Sequence, residues 1–354
     1  MSDEEKIISN LSILKNIKEE AGCKILLAQK AFSMFSLYPL IEKYLDGTTA
    51  SGLYEARLGR EEFKGEVHVF SPAFRDDEFD EIVSLCDHIV FNSPAEVFRF
   101  HERAKGKSLG LRVNPECSTQ ETAIYDPCAK GSRLGTTLEN FDPAVLSYID
   151  GLHFHTLCEQ GADALDITLK AFEEKFGKYL KGLKWVNFGG GHHITRDDYD
   201  RKLLIGLVRE FKERYGVEVY LEPGEAIALN AGYLVTKVLD VVHNDIDIAL
   251  LDTSAACHML LHCLFISLFD IVFACERRHE HQKRRLRKMK IRDKTVTDLK
   301  AIAGKDKDIG IAFAGRKMTL LIRRSFHGTE RGGSDTYNPA ASFLRGIDEF
   351  RGFP

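Results

Sequence analysis

Short apolar or β-branched runs recur along the first two thirds of the chain, and each closes on a polar or glycine-rich cluster. They lie at Lys24–Lys30, Gly47–Ser51, Val67–Ser71, His88–Asn92, Leu109–Asn114, Gly151–His155, Trp185–Phe188 and Val217–Leu221. Runs of this length and content predict strands. Between most of them the apolar residues return at helical spacing. Leu37, Leu40, Ile41 and Tyr44 fall on one face of Ser36–Tyr44, and Leu165–Phe176 and Tyr199–Tyr215 behave likewise. Strands alternating with helices imply a parallel sheet. Eight such units in about 200 residues predict a (β/α)8 TIM-like barrel, whose functional residues collect at the C-terminal ends of its strands.

The pattern changes after Gly232. Tyr233–Val242 and Ile246–Asp252 read as strands with no helix between them. The expected organisation is a barrel over 1–232 and a mainly β domain over 233–354. No internal repeat or low-complexity linker separates the two.

Composition narrows the class. A 354-residue chain that is 44% hydrophobic can bury a full core, which excludes a disordered chain and a collagen. The longest apolar stretch, Leu260–Ala274, is interrupted by His262 and Asp270 and falls short of a membrane helix. The acidic start, MSDEEKIISN, is unlike a signal peptide. Eight cysteines without a CxxC pair read as reduced thiols of a cytoplasmic protein, not as a disulfide framework or a metal site. Charge is unevenly spread. Residues 1–259 carry a net charge of −13 and residues 260–354 a net charge of +9, with ten Lys or Arg inside Arg277–Lys294. That basic run lacks interleaved aromatics, which argues against nucleic acid as a partner.

The candidate chemistry lies where a barrel would put it. Lys30 closes the first strand in LLAQKAFS. It is either a snorkelling surface lysine or a partly desolvated amine able to condense with an aldehyde. Gly189–Gly191 follow the seventh strand in NFGGGHH, as a tight turn or as a backbone cradle for phosphate. Glu222 opens EPGEA after the eighth strand, as a surface turn or as the carboxylate that keeps a cofactor's ring nitrogen protonated. His155, in GLHFHTLCE, is a core histidine or one that faces a cofactor ring. Arg133, in SRLG, is a surface arginine or a cation beside a phenolic oxygen. An amine, a phosphate cradle, a ring-facing histidine and a carboxylate on strands one, six, seven and eight are together the parts of a pyridoxal 5'-phosphate site.

Longer runs carry a resemblance. LLAQKAFSMFSLYPLIEKYLDGTTASGLYEARLG, GLHFHTLCEQ, VNFGGGHHITRDDYD, LEPGEAIALNAGYLVTKVLD and LDTSAACHM are similar, in this order, to the fold-type III pyridoxal-phosphate decarboxylases. That group has an alanine racemase/ornithine decarboxylase-like barrel followed by a β domain. Within it these runs most resemble the carboxynorspermidine/carboxyspermidine decarboxylases. The resemblance covers roughly residues 10–259. It implies that Lys30 carries the cofactor, His155 faces its ring, Gly189–Gly191 and Gly224 hold its phosphate, and Glu222 pairs with the pyridine nitrogen. It further implies that Glu225 contacts a carboxylated polyamine substrate, and that a homodimer shares the site.

The resemblance ends at Met259. The family's CHM continues into Pro-Asp, whereas Leu260 and Leu261 follow here. The catalytic cysteine and aspartate expected from the partner's β domain are not recognised, and Cys263 and Cys275 lack their context. The charge reverses at the same point, as a reading-frame shift near codon 260 would produce. Three rival expectations follow: a cofactor-binding barrel that does not turn over, another fold-type III decarboxylase such as one for diaminopimelate or ornithine, and nucleic-acid binding through the basic run.

Overall fold

The computed structural model describes residues 3–120, 125–232, 234–244, 246–252, 270–271, 289–290 and 310–313. The chain forms two compact units; among the described residues the first holds those up to Leu234 together with Phe313, and the second those from Val235 to Ala312.

The first unit is a closed barrel of eight parallel strands. They are β1 Lys24–Ala28, β2 Gly47–Ala50, β3 Glu66–Phe70, β4 His88–Phe91, β5 Ser108–Arg112, β6 Gly151–His153, β7 Trp185–Asn187 and β8 Glu218–Leu221. Each pairs with its neighbour in sequence, and β8 closes on β1 through Lys24↔Tyr220 and Ile25↔Leu221. All eight sequence-predicted runs overlap a barrel strand, with β3 and β5 each starting one residue earlier than expected. The helices are α1 Glu4–Ala21, α2 Tyr38–Ile41, α3 Leu53–Glu62, α4 Asp76–Leu85, α5 Pro94–Phe100, α6 Ala162–Phe176, α7 Arg201–Tyr215 and the single turn α8 Glu225–Ala228. The helix expected at 36–44 is shorter than its periodicity suggests. A 3-10 turn at Phe35–Leu37 leads into α2, and the chain then turns so that Asp46 can exchange hydrogen bonds with Ile25 on β1. The first helix, α1, is an addition to the sequence reading. Asp3 caps its start, Gly22 at φ 66° ends it, and Ile7, Leu11, Leu14, Ile17 and Ala21 form its buried face.

Period-two alternation sorts the strand residues. Ile25, Leu27, Ile89, Phe91, Leu109, Leu111, Leu152, Val186, Val219 and Leu221 join the main core between strands and helices. Their alternates, Leu26, Val90, Trp185 and Tyr220, form a separate cluster inside the barrel with Phe70 packed against it. Trp185 fills the middle of this interior, its Nε1 donating to Ser108 Oγ at 2.9 Å. The neighbouring positions on β5 and β6 are Gly110 and Gly151, which are paired in register. A Cβ at either would collide with the Trp185 indole. Glycine weakens a strand, so its presence here is explained by the close approach of the ring. Beneath the tryptophan, Lys24 pairs with Glu66 and the His68 and His88 rings stack 3.9 Å apart. Burial, reinforced by His68, pushes His88 down to about 3, so the His88 ring is neutral above acid pH.

The second unit is described in part. β9 Leu234–Asn244 and β10 Ile246–Leu251 form an antiparallel hairpin where strands were expected. Two-residue strands at Asp270–Ile271 and Met289–Lys290 pair with each other, and β-structure recurs at Gly310–Phe313. The remainder of the apolar stretch 260–274 and of the basic run 277–294, with Cys263 and Cys275, lies outside the described residues. Among the described residues no helix is long and apolar enough to cross a membrane.

Gly151→Ala should destabilise the barrel by about 1–3 kcal/mol through overpacking against Trp185. Trp185 is the chain's single tryptophan, so its fluorescence in urea unfolding reads this directly. An unchanged midpoint would show that the ring is not wedged as described.

Candidate active site

Continuing the inward alternation two residues past each strand end leads to the C-terminal mouth of the barrel. Lys30 lies two residues beyond β1, His155 two beyond β6, Gly189 two beyond β7, and Glu222 directly follows β8. The interior polar residues just below are Arg112, His153 and Asn187, all buried.

Asn187 holds two of these parts together. Its Nδ2 donates to Glu222 Oε1 at 2.8 Å, and its Oδ1 accepts from the Gly189 N–H at 2.8 Å. The Glu222 N–H returns a bond to the Gly189 carbonyl at 2.8 Å. Glu222 is buried, with its second oxygen 3.7 Å from His153 Nε2. Asn187 was not singled out from the sequence. Its signal was a polar residue at an inward position of an otherwise apolar strand, just before the glycine run.

His155 is oriented by the same loop. The Gly190 N–H donates to His155 Nδ1 at 3.2 Å, so the neutral ring carries its proton on Nε2. Burial and the Lys30 and Arg112 cations keep this imidazole well below the ordinary histidine range. The Arg112 Nη2 donates to the His155 carbonyl at 3.2 Å, and the guanidinium lies 4.5 Å from the centre of the Phe70 ring. Burial lowers Arg112 to about 10, with Glu222 opposing the shift. Arg112 is therefore the buried guanidinium of this throat, and sequence reasoning missed it. Arg133 is exposed on the rim, its carbonyl accepting from Asn92 Nδ2 at 2.9 Å.

Lys30 leaves a turn anchored by buried Gln29. The Gln29 N–H donates to the Thr49 carbonyl, its Nε2 donates to the Glu55 carbonyl at 2.9 Å, and its Oε1 accepts from Tyr38 at 3.1 Å. Lys30 is exposed as a residue, yet the surrounding throat lowers the pKa of its amine by desolvation. Glu222 pulls in the opposite direction and Arg112 adds to the lowering.

The glycine loop is shaped to be bare. A Cβ on Gly190 would strike the Glu222 carbonyl and press on the His155 ring. One on Gly224 would strike the Ala31 methyl and crowd Ala28. Gly191 sits at φ 82°, in the left-handed region, against the Leu157 carbonyl. A glycine loop that presents backbone in place of side chains, an amine of lowered pKa and a buried carboxylate suit a phosphorylated aromatic aldehyde. The residues present thus fit the cofactor that the sequence implied. Beside them, Glu225 is held by His193, whose Nε2 lies 3.1 Å from Oε2.

Three groups of histidine and carboxylate ligand atoms approach within 4.8 Å among the described residues: Glu66/His68/His88, His153/His155/Glu222 and Glu159/His193/Glu225. In the first, Lys24 already pairs with Glu66 and the two rings stack face to face, so their nitrogens do not converge on one ion. In the second, Lys30 and Arg112 supply positive charge next to the imidazoles.

No family model matches the chain. Individual relatives do. It is 48% identical over 257 residues to a carboxynorspermidine/carboxyspermidine decarboxylase of Campylobacter jejuni, which covers 73% of this chain and 67% of that protein. It is 39% identical over 261 residues to a carboxyaminopropylagmatine decarboxylase of Synechocystis, covering 73% and 67% of the two chains. The crystal structure of carboxynorspermidine decarboxylase from C. jejuni, complexed with norspermidine, superposes with a TM-score of 0.66 at 45% identity over 75% of this chain and 69% of that one.

The lowered pKa of Lys30 has a readable sign. At pH 7–9 more of its amine is neutral than for an ordinary lysine near about 10.4. Trinitrophenylation followed by peptide mapping should show Lys30 reaching its maximal rate at lower pH than surface lysines. Glu222→Gln removes the largest opposing influence and should move that profile lower still. A Lys30 profile that coincides with the surface lysines would contradict the electrostatic description.

Proposed function

This chain belongs to the carboxynorspermidine/carboxyspermidine decarboxylase family, and we propose that its barrel mouth decarboxylates such carboxylated polyamines with pyridoxal 5'-phosphate. The observation that carries this reading is the clasp of Asn187, which ties Glu222 to the glycine loop. It supports assigning the carboxylate and the phosphate cradle to one ligand.

The cofactor, when bound, supplies the electron sink for the pair left on the former α-carbon as carbon dioxide departs. Lys30 would hold it through its amine. Gly189, Gly190, Gly191 and Gly224 would hold its phosphate, and His155 would face its ring. Glu222 would keep the ring nitrogen protonated, with Asn187 fixing the carboxylate from behind. Arg112 braces His155 from below, and Arg133 remains at the rim. Per turnover one carbon–carbon bond breaks, carbon dioxide leaves, and one proton is taken up at that carbon.

The substrate class follows from charge. Glu225 offers a carboxylate at the mouth, partly exposed and held by His193. An anion there suits a cationic polyamine arm and repels the second carboxylate of a substrate such as diaminopimelate. Residues 1–259, with a net charge of −13, favour encounter with a polycation. The C. jejuni relative is named for carboxynorspermidine and carboxyspermidine, and its structural counterpart holds norspermidine. The Synechocystis relative is named for carboxyaminopropylagmatine. We assign the working form to a homodimer that shares its active site, as the family resemblance implies. A cytoplasmic location accords with free thiols at Cys23, Cys86, Cys117 and Cys128.

Protein supplied with pyridoxal 5'-phosphate should release carbon dioxide from carboxynorspermidine and leave diaminopimelate intact. Lys30→Ala should abolish release, and Glu222→Ala should lower it by about two to four orders of magnitude. Turnover unaffected by Lys30→Ala, or a preference for diaminopimelate, would overturn the proposal.

A further inference from the structure

His193 is almost wholly buried, and its Nε2 lies 3.1 Å from Oε2 of Glu225, whose side chain retains 35% exposure at the barrel mouth. A carboxylate only accepts, so Nε2 carries the proton and donates. The other ring nitrogen, Nδ1, is buried and has no hydrogen-bond partner among the described residues. The imidazole thus makes its hydrogen bond outward, to a half-exposed acid.

The backbone around this pair is stitched from several sides. The loop after β6 and the loop after β7 exchange Gln160 N–H to Gly191 O at 2.9 Å and His193 N–H to Gln160 O at 3.1 Å. Thr195 Oγ1 donates to the Ala226 carbonyl at 2.6 Å, directly beside the His193–Glu225 contact. Asn10 Nδ2, on α1, donates to the carbonyls of Ile227 and Leu229 at 3.1 and 2.9 Å. Those bonds fix where Glu225 begins, and His193 fixes where its carboxylate ends. A long acidic side chain on a surface ordinarily samples many rotamers, and ordering it has an entropic cost on binding. A buried donor beneath it removes that cost in advance. Glu159 stands across from the pair, with an oxygen within 4.8 Å of both the ring nitrogen and the Glu225 oxygen, on a backbone at φ 56°. Two carboxylates thus approach one imidazole.

We propose that His193 is a positioning residue for substrate: it presets Glu225 to receive an ammonium group of the polyamine arm. This rests on the reading of Glu225 as the substrate contact. His193 would act through Glu225, with which its Nε2 pairs, so its effect should fall on affinity and not on the chemical step. That shared route makes the two residues non-additive.

The test is a cycle of variants titrated with norspermidine by calorimetry, on full-length protein loaded with pyridoxal 5'-phosphate. Glu225→Gln should weaken binding by roughly 10–100-fold, the range for loss of a charge-assisted hydrogen bond. His193→Ala should weaken it by about 3–10-fold, a part of the same free energy. The double variant should match Glu225→Gln within about twofold, since without the acid nothing remains to position. His193→Gln, whose Nε2 can reach the same oxygen, should restore most of the affinity. In turnover, His193→Ala should raise KM and leave kcat nearly unchanged, with the cofactor's visible absorbance as in the parent protein. Wild-type protein that binds no norspermidine, or Glu225→Gln that binds like wild type, would overturn the parent reading of Glu225 and this inference with it. Glu225→Gln weakened while His193→Ala is unaffected would overturn the inference alone. So would equal, additive losses, or a loss in kcat with KM unchanged.

Discussion

A closed eight-stranded barrel admits side chains to its interior only at every second residue, and this alternation governs the whole first unit. It sends Ile25, Leu27, Leu152, Val186, Val219 and Leu221 outward to the helices. It sends Leu26, Trp185 and Tyr220 inward to close the interior. The same count continues to His153 and His155, to Asn187 and Gly189, and to Glu222. A shift of one residue on any of these strands would exchange its catalytic candidates with its core residues. Stability and chemistry therefore share one register. Gly110 and Gly151 serve that register from below, because the Trp185 ring they admit fills the interior under the polar throat.

The throat concentrates charge where water is scarce. Glu222, Arg112 and Lys30 influence one another, and burial lowers both cations. His153 and His155 stay neutral beside them. Neutral imidazoles, an amine of lowered pKa and a hydrogen-bonded carboxylate gather polar groups in place before a ligand arrives, in keeping with electrostatic preorganisation. The bonds that set them run between adjacent loops: Asn187 to Glu222 and Gly189, Gly190 to His155, His193 to Glu225. These bonds tie the loops after β6, β7 and β8 to one another.

The strands and the residues that end them were legible in the sequence. A buried parallel strand is a short apolar run, and a candidate site residue at its end breaks that run visibly, as Lys30, His155 and Glu222 do. The glycine run stood out for the same reason. Helices were less legible where few apolar residues define the face: α3 buries Leu53, Ala56 and Gly59, and α4 only Phe79 and Ile82. α1 has a clear buried stripe but precedes the first strand, so no strand–helix alternation pointed to it. Asn187, Arg112 and His193 could not be assigned from sequence, because each takes its meaning from a partner far along the chain. Asn187 and Glu222 are 35 residues apart, and His193 and Glu225 are 32 apart.

The central claim is that this single ring of positions makes Lys30 the one lysine that takes up the cofactor. Protein incubated with pyridoxal 5'-phosphate, reduced with borohydride, digested and mapped by mass spectrometry tests it directly. The account predicts a stoichiometric pyridoxyl adduct on the peptide containing Lys30. An adduct spread over surface lysines, or absent from folded protein, would contradict it.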